Sequence, residues 1–528
     1  MAKLPGIFND VIGPIMRGPS SSHTAASWRA AKMSMDLLNE PLKKAIIDFD
    51  KNGAWAPNYR EQGTTLGIDG GLLGLEMADD RMKHTEKVAQ EMGISISYEI
   101  NSFKTNHVNT VRLKLEGIND KTVEVLAASL GGGSVEIREI DGFEVKLCGD
   151  FYELLLFNNK SDPFPENLEL IFPLNKTIVE SFNDDKRLIN VKLTKEVSEE
   201  SINQLKNTNV LEKLIIVNPV LPVISGNEIE LPFSSVESML NYAEEENLDL
   251  AAIGLLYERC QSGLGETEVV GKMKYLVEII ENSIKTGLAG TVYDDRILPQ
   301  QSHLIDKAHK RGKILQNSII NKIIENVSAI MESKSAMEVV VANPTAGSCG
   351  AVGGVLRAVA DDIDATHEEL IQAYFATGVI GAYFAKGPGF SAEEHGCQVE
   401  CGASAGMAAA GIVQLFGGTA RQAVDAASMA IQNMIGLVCD PIADRVEAPC
   451  LGKNVSAAVN ALSSATMSCA GYNALIPLNE VIETVSSVSS QMPTCVKCTG
   501  KGGLAITKTA CMIKEKLASN KKSPVHNS

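Results

Sequence analysis

Residues 396–436, GCQVECGASAGMAAAGIVQLFGGTARQAVDAASMAIQNMIG, decide the fold class of the larger part of this chain. Small and aliphatic side chains dominate the stretch, and a glycine pair, Gly417 and Gly418, separates two helical patterns. A capping box opens the second pattern, because Thr419 precedes Gln422 by three residues. An apolar stripe and a glycine suited to the C′ position follow: Val424, Ala427, Ile431, Met434 and Gly436. The stretch therefore predicts two consecutive helices.

Helical patterns continue through most of the sequence after about residue 223, whereas the earlier residues alternate helix and strand patterns. MSMDLLNEPLKKAIIDFD at 33–50 runs from helix into strand, and HVNTVRLKLEG at 107–117 alternates with period two. We predict an α+β N-terminal domain over residues 1–150, followed by a mostly α-helical catalytic domain over residues 223–515.

Two further segments differ in composition from these domains. Residues 151–222 are rich in Asn, Asp, Lys, Leu and Ile, and we predict a small α+β connecting or regulatory module there. Its strand candidates are LELIFPL at 168–174, LINVKLT at 188–194 and KLIIVNPVLPVI at 213–224. Residues 516–528 are polar, and we predict a disordered tail.

Charge and composition exclude several classes of protein. The chain has 48 Lys and Arg against 65 Asp and Glu, a net charge of -17 that repels polyanions. The first residues have no cationic segment followed by an apolar one, and no stretch reaches about 18 uninterrupted apolar residues. We therefore expect a cytoplasmic protein with neither a nucleic acid nor a membrane as partner.

The 11 cysteines do not predict a disulfide framework, because the cytosolic thiol pool keeps such bridges reduced. Cys397 and Cys450 precede predicted helices, where backbone amides favour the thiolate, and Asn454 suits the N-cap of the second. Cys439 follows a predicted helix end. The spacing of these three cysteines matches no short metal signature, so it leaves open both a metal site and burial as small apolar side chains.

Hydroxyl-rich loops are the second group of candidate functional residues. GPSSSHTA at 18–25 leads into a predicted helix, and its hydroxyls and free amides can bind a carboxylate. The same pattern also suits a serine N-cap beside a solvated histidine. In the NPTAGS loop, Thr345 and Ser348 can hydrogen-bond a substrate carboxylate or amine, and Gly347 permits close approach of the backbone.

Six of these stretches together resemble the iron-dependent bacterial L-serine dehydratases. The stretches similar to the α part of that family are NPTAGSCGAVGG at 343–354, GCQVECGASAGMAAA at 396–410 and GLVCDPIADRVEAPCLGKN at 436–454. Those similar to the β part are GPSSSHTA at 18–25, HVNT at 107–110 and SLGGG at 129–133. The chain thus resembles a single-chain form with fused β and α parts.

The resemblance implies a [4Fe-4S] cluster held by Cys397, Cys439 and Cys450. Three protein ligands leave one iron open as a Lewis acid for a substrate hydroxyl. The implied reaction is oxygen-sensitive β-elimination of L-serine to pyruvate and ammonia, without pyridoxal phosphate, in amino-acid degradation and gluconeogenesis. Some family members occupy the open iron at rest with a cysteine near the chain end, and Cys511 lies in that region, although further residues follow it here.

The resemblance also implies roles for residues in the loops. The implied catalytic residues are His23, Ser22 and His107, and the implied substrate-binding residues are Ser20, Ser21, Thr24, Asn109, Thr345, Gly347 and Ser348. His23 is our candidate for proton transfer, because an imidazole pKa near 6.5 suits work at neutral pH. A serine alkoxide from the same loop is an equal alternative. Taken alone, a histidine beside a strand, as at His107, is more often structural.

Departures from the family pattern leave the substrate open. EQGTT at 61–65 stands where relatives have Gly-His-Gly-Thr-Asp, so that Gln62 and Thr65 replace a histidine and an aspartate. Charged residues also lie near the cluster cysteines in sequence: Glu394, His395, Asp444 and Arg445. One alternative is a related lyase acting on threonine, a β-thiol amino acid or another β-hydroxy acid. Two others are a non-catalytic serine-binding sensor and an iron-sulfur electron carrier.

The remaining cysteines near these motifs are interpreted as ordinary thiols. Cys495 and Cys498 form a CxxC without a second pair or nearby histidines, which favours two incidental thiols. Cys401 lies one helical turn after Cys397 and is assigned to core packing. As partners we expect a small amino-acid substrate and a second copy of the chain in a homodimer.

Overall fold

The computed structural model describes residues 5–163, 168–172, 176–206, 211–316 and 318–522. Its N-terminal region contains mixed sheets, and the chain from about residue 236 is mostly helical, which confirms the predicted fold class. Within these ranges no helix is both long and apolar enough to cross a membrane.

A six-stranded sheet and three helices build the N-terminal region. Its elements are β1 (Ile15–Met16), α1 (Ala26–Leu38), β2 (Leu42–Asp50), α2 (Thr64–Leu72), α3 (Thr85–Glu91), β3 (Ser95–Asn101), β4 (Thr110–Gly117), β5 (Thr122–Gly131), β6 (Ser134–Ile140) and β7 (Phe143–Leu147). The sheet order is β3-β2-β4-β5-β6-β7, and β2 and β3 pair in parallel. Helix α1 buries Met33 and Leu37 with the inward side chains of this sheet, such as Val125. The sheet thereby fixes the helix that follows the serine-rich loop.

Helix α2 lies very close to the start of α1. A Cβ atom at Gly67 would stand 2.1 Å from the Thr24 carbonyl oxygen and 2.2 Å from Ser27 Oγ, so only glycine fits there. The Ser27 hydroxyl donates to the Thr24 and Thr64 carbonyls (3.2 and 3.1 Å). This contact holds the serine-rich loop between the two helices.

The segment between the two main regions has its own sheet. The elements are β8 (Tyr152–Asn159), α4 (Leu168–Ile171), β9 (Lys176–Asn183), β10 (Lys186–Leu193), α5 (Glu199–Lys206) and β11 (Lys213–Val217), with the antiparallel order β11-β8-β10-β9. The strand predicted at 168–174 is wrong for its described residues. Phe172 N donates to Leu168 O (3.0 Å), so the chain closes a helical turn here, and the Leu168 and Phe172 side chains enter the core of this module. Residues 173 and 174 lie outside the described residues.

The helical region contains thirteen α-helices among the described residues and one short strand. They are α6 (Val236–Glu245), α7 (Leu250–Ser262), α8 (Glu266–Ala289), α9 (Ser302–Lys310), α10 (Ser318–Ser335), β12 (Val340–Val341), α11 (Cys349–Asp362), α12 (His367–Lys386), α13 (Ala392–His395), α14 (Cys401–Leu415), α15 (Ala420–Gln432), α16 (Cys450–Cys469), α17 (Leu478–Gln491) and α18 (Lys508–Lys522). Strand β12 pairs with β1, which joins the helical region to the N-terminal one.

Helix α14 is the central helix of this region. It packs against α11, α12, α15 and α16, and its residues from 401 to 413 are all buried. The predicted capping box is confirmed, because Gln422 N donates to Thr419 Oγ1 (3.2 Å) and Thr419 N donates to Gln422 Oε1 (2.9 Å). Helix α15 ends at Gln432, however, so Gly436 (φ +83°) lies in the turn beyond it and not at the C′ position.

Two predicted helix ends lie elsewhere in the structure. The N-cap predicted at Asn454 is wrong, because α16 begins at Cys450 and the Asn454 amide instead bonds to other segments of the core. Helix α18 extends through Lys522, so residues 516–522, predicted as tail, are helical. Residues 523–528 lie outside the described residues.

The close packing of α8 on α10 provides a test of the fold. A Cβ atom at Gly287 would stand 2.0 Å from the Ala329 carbonyl oxygen, whereas one at Gly271 on the same helix would meet nothing within 4 Å. We expect Gly287→Ala to destabilise the protein by about 1–3 kcal/mol through overpacking. Gly271→Ala should instead be neutral or stabilising by up to about 1 kcal/mol. Unfolding of both variants followed by circular dichroism checks this, and equal stabilities would contradict the α8–α10 contact.

Candidate active site

The serine-rich loop is buried where the N-terminal and helical regions meet. Ser21–Ala25 form a short π-helical turn directly before α1, and His23 and Thr24 are fully buried. Ser21 Oγ accepts a hydrogen bond from Ala346 N (3.2 Å) in the NPTAGS loop. The two hydroxyl-rich loops predicted from the sequence therefore lie side by side.

His23 is surrounded by polar groups. Its Nδ1 lies 3.2 Å from both Ser20 Oγ and Ser22 Oγ and 3.4 Å from Glu393 Oε1. With the Asn58 amide oriented so that its oxygen accepts from Gln62 Nε2 (2.9 Å), its nitrogen donates to His23 Nε2 (3.2 Å) and lies 3.2 and 3.1 Å from the Trp55 and Ala54 carbonyl oxygens. Because Nε2 accepts, the proton of the neutral ring is on Nδ1. Burial lowers the pKa of His23, and the Glu393 carboxylate opposes that shift.

Glu393 is a site residue that the sequence analysis missed. It lies on the single-turn helix α13 just before Cys397 and is only 6% exposed. The Ser22 hydroxyl donates to its Oε1 (3.0 Å), and the Ser391 hydroxyl donates to its Oε2 (3.1 Å). An acidic residue beside a candidate ligand cysteine was the available signal, but nothing in the sequence pointed it towards a loop more than three hundred residues away.

His107 and Asn109 approach the same helix from the N-terminal sheet. His107 Nε2 lies 3.6 Å from Glu394 Oε2, and this contact lowers the pKa of Glu394. His107 Nδ1 accepts from Asn109 N (3.1 Å). The Asn109 side chain is fully buried, and neither of its amide atoms has a hydrogen-bond partner among the residues that the structure describes. A buried amide without partners is costly unless a ligand uses it, which agrees with a binding role.

The NPTAGS loop meets a second carboxyl group, that of the partly buried Glu400. Thr345 Oγ1 donates to Glu400 Oε1 (2.7 Å) and lies 3.1 Å from Ser348 Oγ. A Cβ atom at Gly347 would stand 3.0 Å from the same carboxyl oxygen, which explains a glycine there. Burial, with the nearby Cys397 thiolate, raises the pKa of Glu400 to about 8. Glu400 was also missed from sequence.

Five buried cysteines form the thiol group, the name used here for Cys397, Cys401, Cys439, Cys450 and Cys498. Cys401 and Cys450 are the first residues of α14 and α16, and the Cys401 amide donates to the Cys397 thiol. A hydrogen bond between the Cys397 and Cys401 thiols lowers the pKa of Cys397 to about 7, whereas burial raises the pKa of Cys450 to about 12. The thiol group thus unites the three predicted ligands with two further thiols.

Cys439 and Cys498 are joined by their backbones as well as their thiols. Cys498 N donates to Cys439 O (2.9 Å), Cys439 N donates to Val496 O (2.8 Å), and the two thiols share a hydrogen bond. Gln62 Nε2 lies 3.5 Å from Cys498 Sγ. The CxxC is accordingly not one paired site, since Cys495 is exposed and Cys498 is buried.

Two lysines, the buried Lys334 and the partly buried Lys453, bring positive charge to the thiol group. Lys453 donates to Val438 O and to Asp440 Oδ1 (both 2.6 Å), and although burial acts against it, the Cys397 thiolate and Asp440 hold its pKa above the ordinary value. Lys334 donates to Val446 O, and burial lowers its pKa while the Cys450 thiolate acts in the opposite direction. Cations in these positions favour the thiolate forms that metals require.

Within the described ranges, no three Cys, His, Asp or Glu side chains converge on a point suitable for a single metal ion. A four-iron cluster does not require its ligands to converge on one point, because its thiolates surround a larger inorganic core. The donor set fits that group: the ligand candidates are all thiols, are buried, and come from three separate segments beside two cations. Cys397, Cys439 and Cys450, together with Cys401 and Cys498, therefore have the chemistry that such a cluster requires.

Cys511 lies apart from this buried set. Its side chain is exposed on α18, which packs on residues 442–444 through an ion pair between Lys514 and Asp444. Arg445 pairs with Asp295 and lies 3.7 Å from Glu447, so the charges noted at 444 and 445 are already paired with other groups. Gln62, by contrast, is buried within the site.

Comparison with known proteins assigns the chain to a family. Residues 165–505 match the model of the serine dehydratase alpha chain, and the chain belongs to this family. The L-serine dehydratase of Streptomyces coelicolor is 24% identical over 94% of this chain and 97% of its own length. In Bacillus subtilis (strain 168), the "Probable L-serine dehydratase, alpha chain" is 32% identical over 54% of this chain and 95% of its own length. The "Probable L-serine dehydratase, beta chain" of the same organism is 35% identical over 28% of this chain and 67% of its own length. The resemblance to a fused single-chain form is thereby confirmed.

The burial of the thiol group predicts an order of chemical reactivity. In folded protein prepared without iron, iodoacetamide should label the exposed Cys495 and Cys511 first. Cys397 should stay protected despite its lower pKa, because it is only 3% exposed. Peptide mapping by mass spectrometry measures each rate, with protein unfolded in guanidinium as the control for complete labelling. Labelling of Cys498 as fast as Cys495 would contradict the arrangement.

Proposed function

We propose that this chain is an iron-sulfur-dependent L-serine ammonia-lyase that converts L-serine to pyruvate and ammonia. The observation that carries the proposal is the contact of Ser22 and His23 with Glu393, on the segment that leads directly to Cys397. This contact sets hydroxyls and an imidazole beside the thiol group. Membership of the serine dehydratase alpha chain family and the L-serine dehydratase names of its relatives support the substrate.

Cys397, Cys439 and Cys450 would hold a [4Fe-4S] cluster. When bound, a cluster with three protein ligands supplies a Lewis-acidic iron that makes the substrate β-hydroxyl a better leaving group. Lys334 and Lys453 would offset its negative charge. Pyridoxal phosphate has no part in the proposal.

The remaining roles fall to the two loops. Ser20, Ser21 and the amides at the start of α1 bind the substrate carboxylate, and Thr345 and Ser348 orient its amino group. Ser22 or His23 removes the α-proton, and loss of the β-hydroxyl gives an enamine that becomes pyruvate and ammonia. Burial of both loops keeps bulk water from the reacting atoms.

The cluster ligands are tested by substitution with serine. After anaerobic reconstitution with iron and sulfide, wild-type protein should bind iron, absorb in the visible range and release pyruvate from L-serine. Cys397→Ser, Cys439→Ser and Cys450→Ser should each lose cluster and activity, because an alcohol is a poor ligand for iron. Air should inactivate the wild type.

Cys469→Ser is the matched control, since Cys469 lies at the other end of the helix that begins at Cys450. It should keep both iron and activity. A wild type that binds iron and titrates reversibly without releasing ammonia would be an electron carrier or a sensor, contrary to the proposal.

A related lyase is the second candidate, and Gln62 favours it, because this residue stands in the site where the family pattern has a histidine. A panel of L-serine, L-threonine and L-cysteine on the reconstituted enzyme separates the two. We expect the largest kcat/KM for L-serine. A tenfold preference for either other amino acid would reassign the substrate.

A further inference from the structure

Glu393 is a buried carboxylate in an environment with little positive charge. Of the basic side chains in the described ranges, only that of His23 lies within 4.0 Å of it. Its other polar partners are the hydroxyls of Ser22 and Ser391. Burial of an ionised carboxylate without a strong cationic partner costs several kcal/mol. A group retained at that cost, beside the loop proposed to hold the substrate, calls for a functional explanation.

The hydrogen bonds fix the direction in which protons can move. An ionised carboxylate only accepts, so the Ser22 hydroxyl proton points at Glu393 Oε1, and the Ser22 oxygen serves as an acceptor towards its other neighbours. The His23 ring presents Nδ1–H to Glu393 and the two serine hydroxyls, because Asn58 donates to its Nε2. Both nitrogens of the His23 ring are thus hydrogen-bonded. Ser22 can accept a proton on its oxygen while it passes its own hydroxyl proton to Glu393.

We infer that Glu393 is a positioning residue for α-proton transfer, acting through Ser22 and with His23 held against it. The inference rests on the proposed function. It adds that Glu393 is the hydrogen-bond partner of Ser22, the residue that accepts the α-proton.

The step balances within the site. The Cα–H bond breaks and its proton moves to Ser22 Oγ, while the Ser22 hydroxyl proton moves to Glu393 Oε1. The electron pair of the Cα–H bond becomes the second Cα–Cβ bond, and the Cβ–O pair leaves with the oxygen as hydroxide. The proton on Glu393 then returns through Ser22 and leaves with hydroxide as water, which restores the carboxylate.

Charge, and not volume, is the property under test. Glu393→Gln keeps the shape and removes the charge, so kcat should fall by about 100-fold or more, a typical loss for a missing proton-transfer partner. Iron content and the visible spectrum should stay those of the wild type. Glu393→Asp keeps the charge in a smaller side chain and should retain more activity than Glu393→Gln, whereas a merely structural role predicts the reverse order.

Glu258→Gln is the matched control, because Glu258 is also fully buried and accepts a hydrogen bond from Ile7 N (2.6 Å) outside the site. Burial raises the pKa of Glu258 to about 8, so that it resembles glutamine at neutral pH. Its kcat should equal that of the wild type.

The pH dependence separates an electrostatic role from a structural one. Glu393 faces His23 and, across the site, Glu400 and Cys498. The active form has His23 neutral, so kcat/KM of the wild type should fall as pH decreases and His23 gains a proton. In Glu393→Gln, His23 loses the charge that favours its protonated form. The acid limb, and the titration of His23 followed by ¹⁵N NMR of histidine-labelled holoprotein, should both move to lower pH.

Each outcome decides the inference. If Glu393→Gln keeps kcat within about threefold of the wild type with an unchanged acid limb, Glu393 is structural and the inference is wrong. The same holds if the fall in kcat of Glu393→Gln is fully explained by a loss of iron from the protein. If wild-type holoprotein turns over no amino acid of the panel, the proposed function fails. The NMR titration alone then tests whether Glu393 is coupled to His23. An unmoved His23 titration in Glu393→Gln would then overturn the coupling.

Discussion

The hydrogen bond from Ser22 to Glu393 joins two buried polar groups from the two halves of the chain. The bond lowers the cost of burying both partners, because an unpaired hydroxyl or carboxylate loses its hydration without compensation. The neighbouring hydrogen bond from Ala346 N to Ser21 Oγ is also buried and also joins the N-terminal region to the helical region. Docking of the N-terminal region on the helices is therefore also what completes the site, and the loop and the thiol group become adjacent through the same contacts.

Small side chains make that arrangement possible. Helix α14 carries glycine and alanine on the faces that meet α11, α12, α15 and α16, so backbones approach closely and the starts of α14 and α16 lie near the Cys397 turn. Asn454 then ties the arrangement together: it donates to the Gly347 and Cys450 carbonyls (both 2.9 Å) and accepts from Ala351 N (3.0 Å). A site fixed by backbone packing and a buried amide is rigid before any cofactor binds.

The residues that could be predicted from the sequence are those whose signal is local. The capping box at Thr419 and the strand pattern at 107–117 depend on neighbours a few residues away. The box forms, and the strand occupies Thr110–Gly117. The ligand candidates and the serine-rich loop came from motif resemblance, which also works on short stretches. Asn454 shows the limit, because an amide that suits an N-cap is used here for bonds between helices.

Glu393, Glu400, Cys498 and Lys334 could not be predicted for a related reason. Their roles arise from contacts between distant segments, such as Gln62 with Cys498 or Glu393 with Ser22, and a single sequence does not encode those distances locally. Cys511 is the opposite case: its place in the family pattern suggested a ligand, whereas helix α18 leaves its side chain exposed. Burial distinguishes the site residues that were missed from the exposed Cys511, and burial is a property of the folded chain.

The central claim is that substrate held by the serine-rich loop reaches a cluster on Cys397, Cys439 and Cys450. Mössbauer spectroscopy of ⁵⁷Fe-reconstituted protein, recorded with and without L-serine, tests it most directly. Binding should change the spectrum of one iron of the four and leave the other three as they were. A spectrum that is identical at saturating L-serine, in protein with a full complement of iron, would contradict the account.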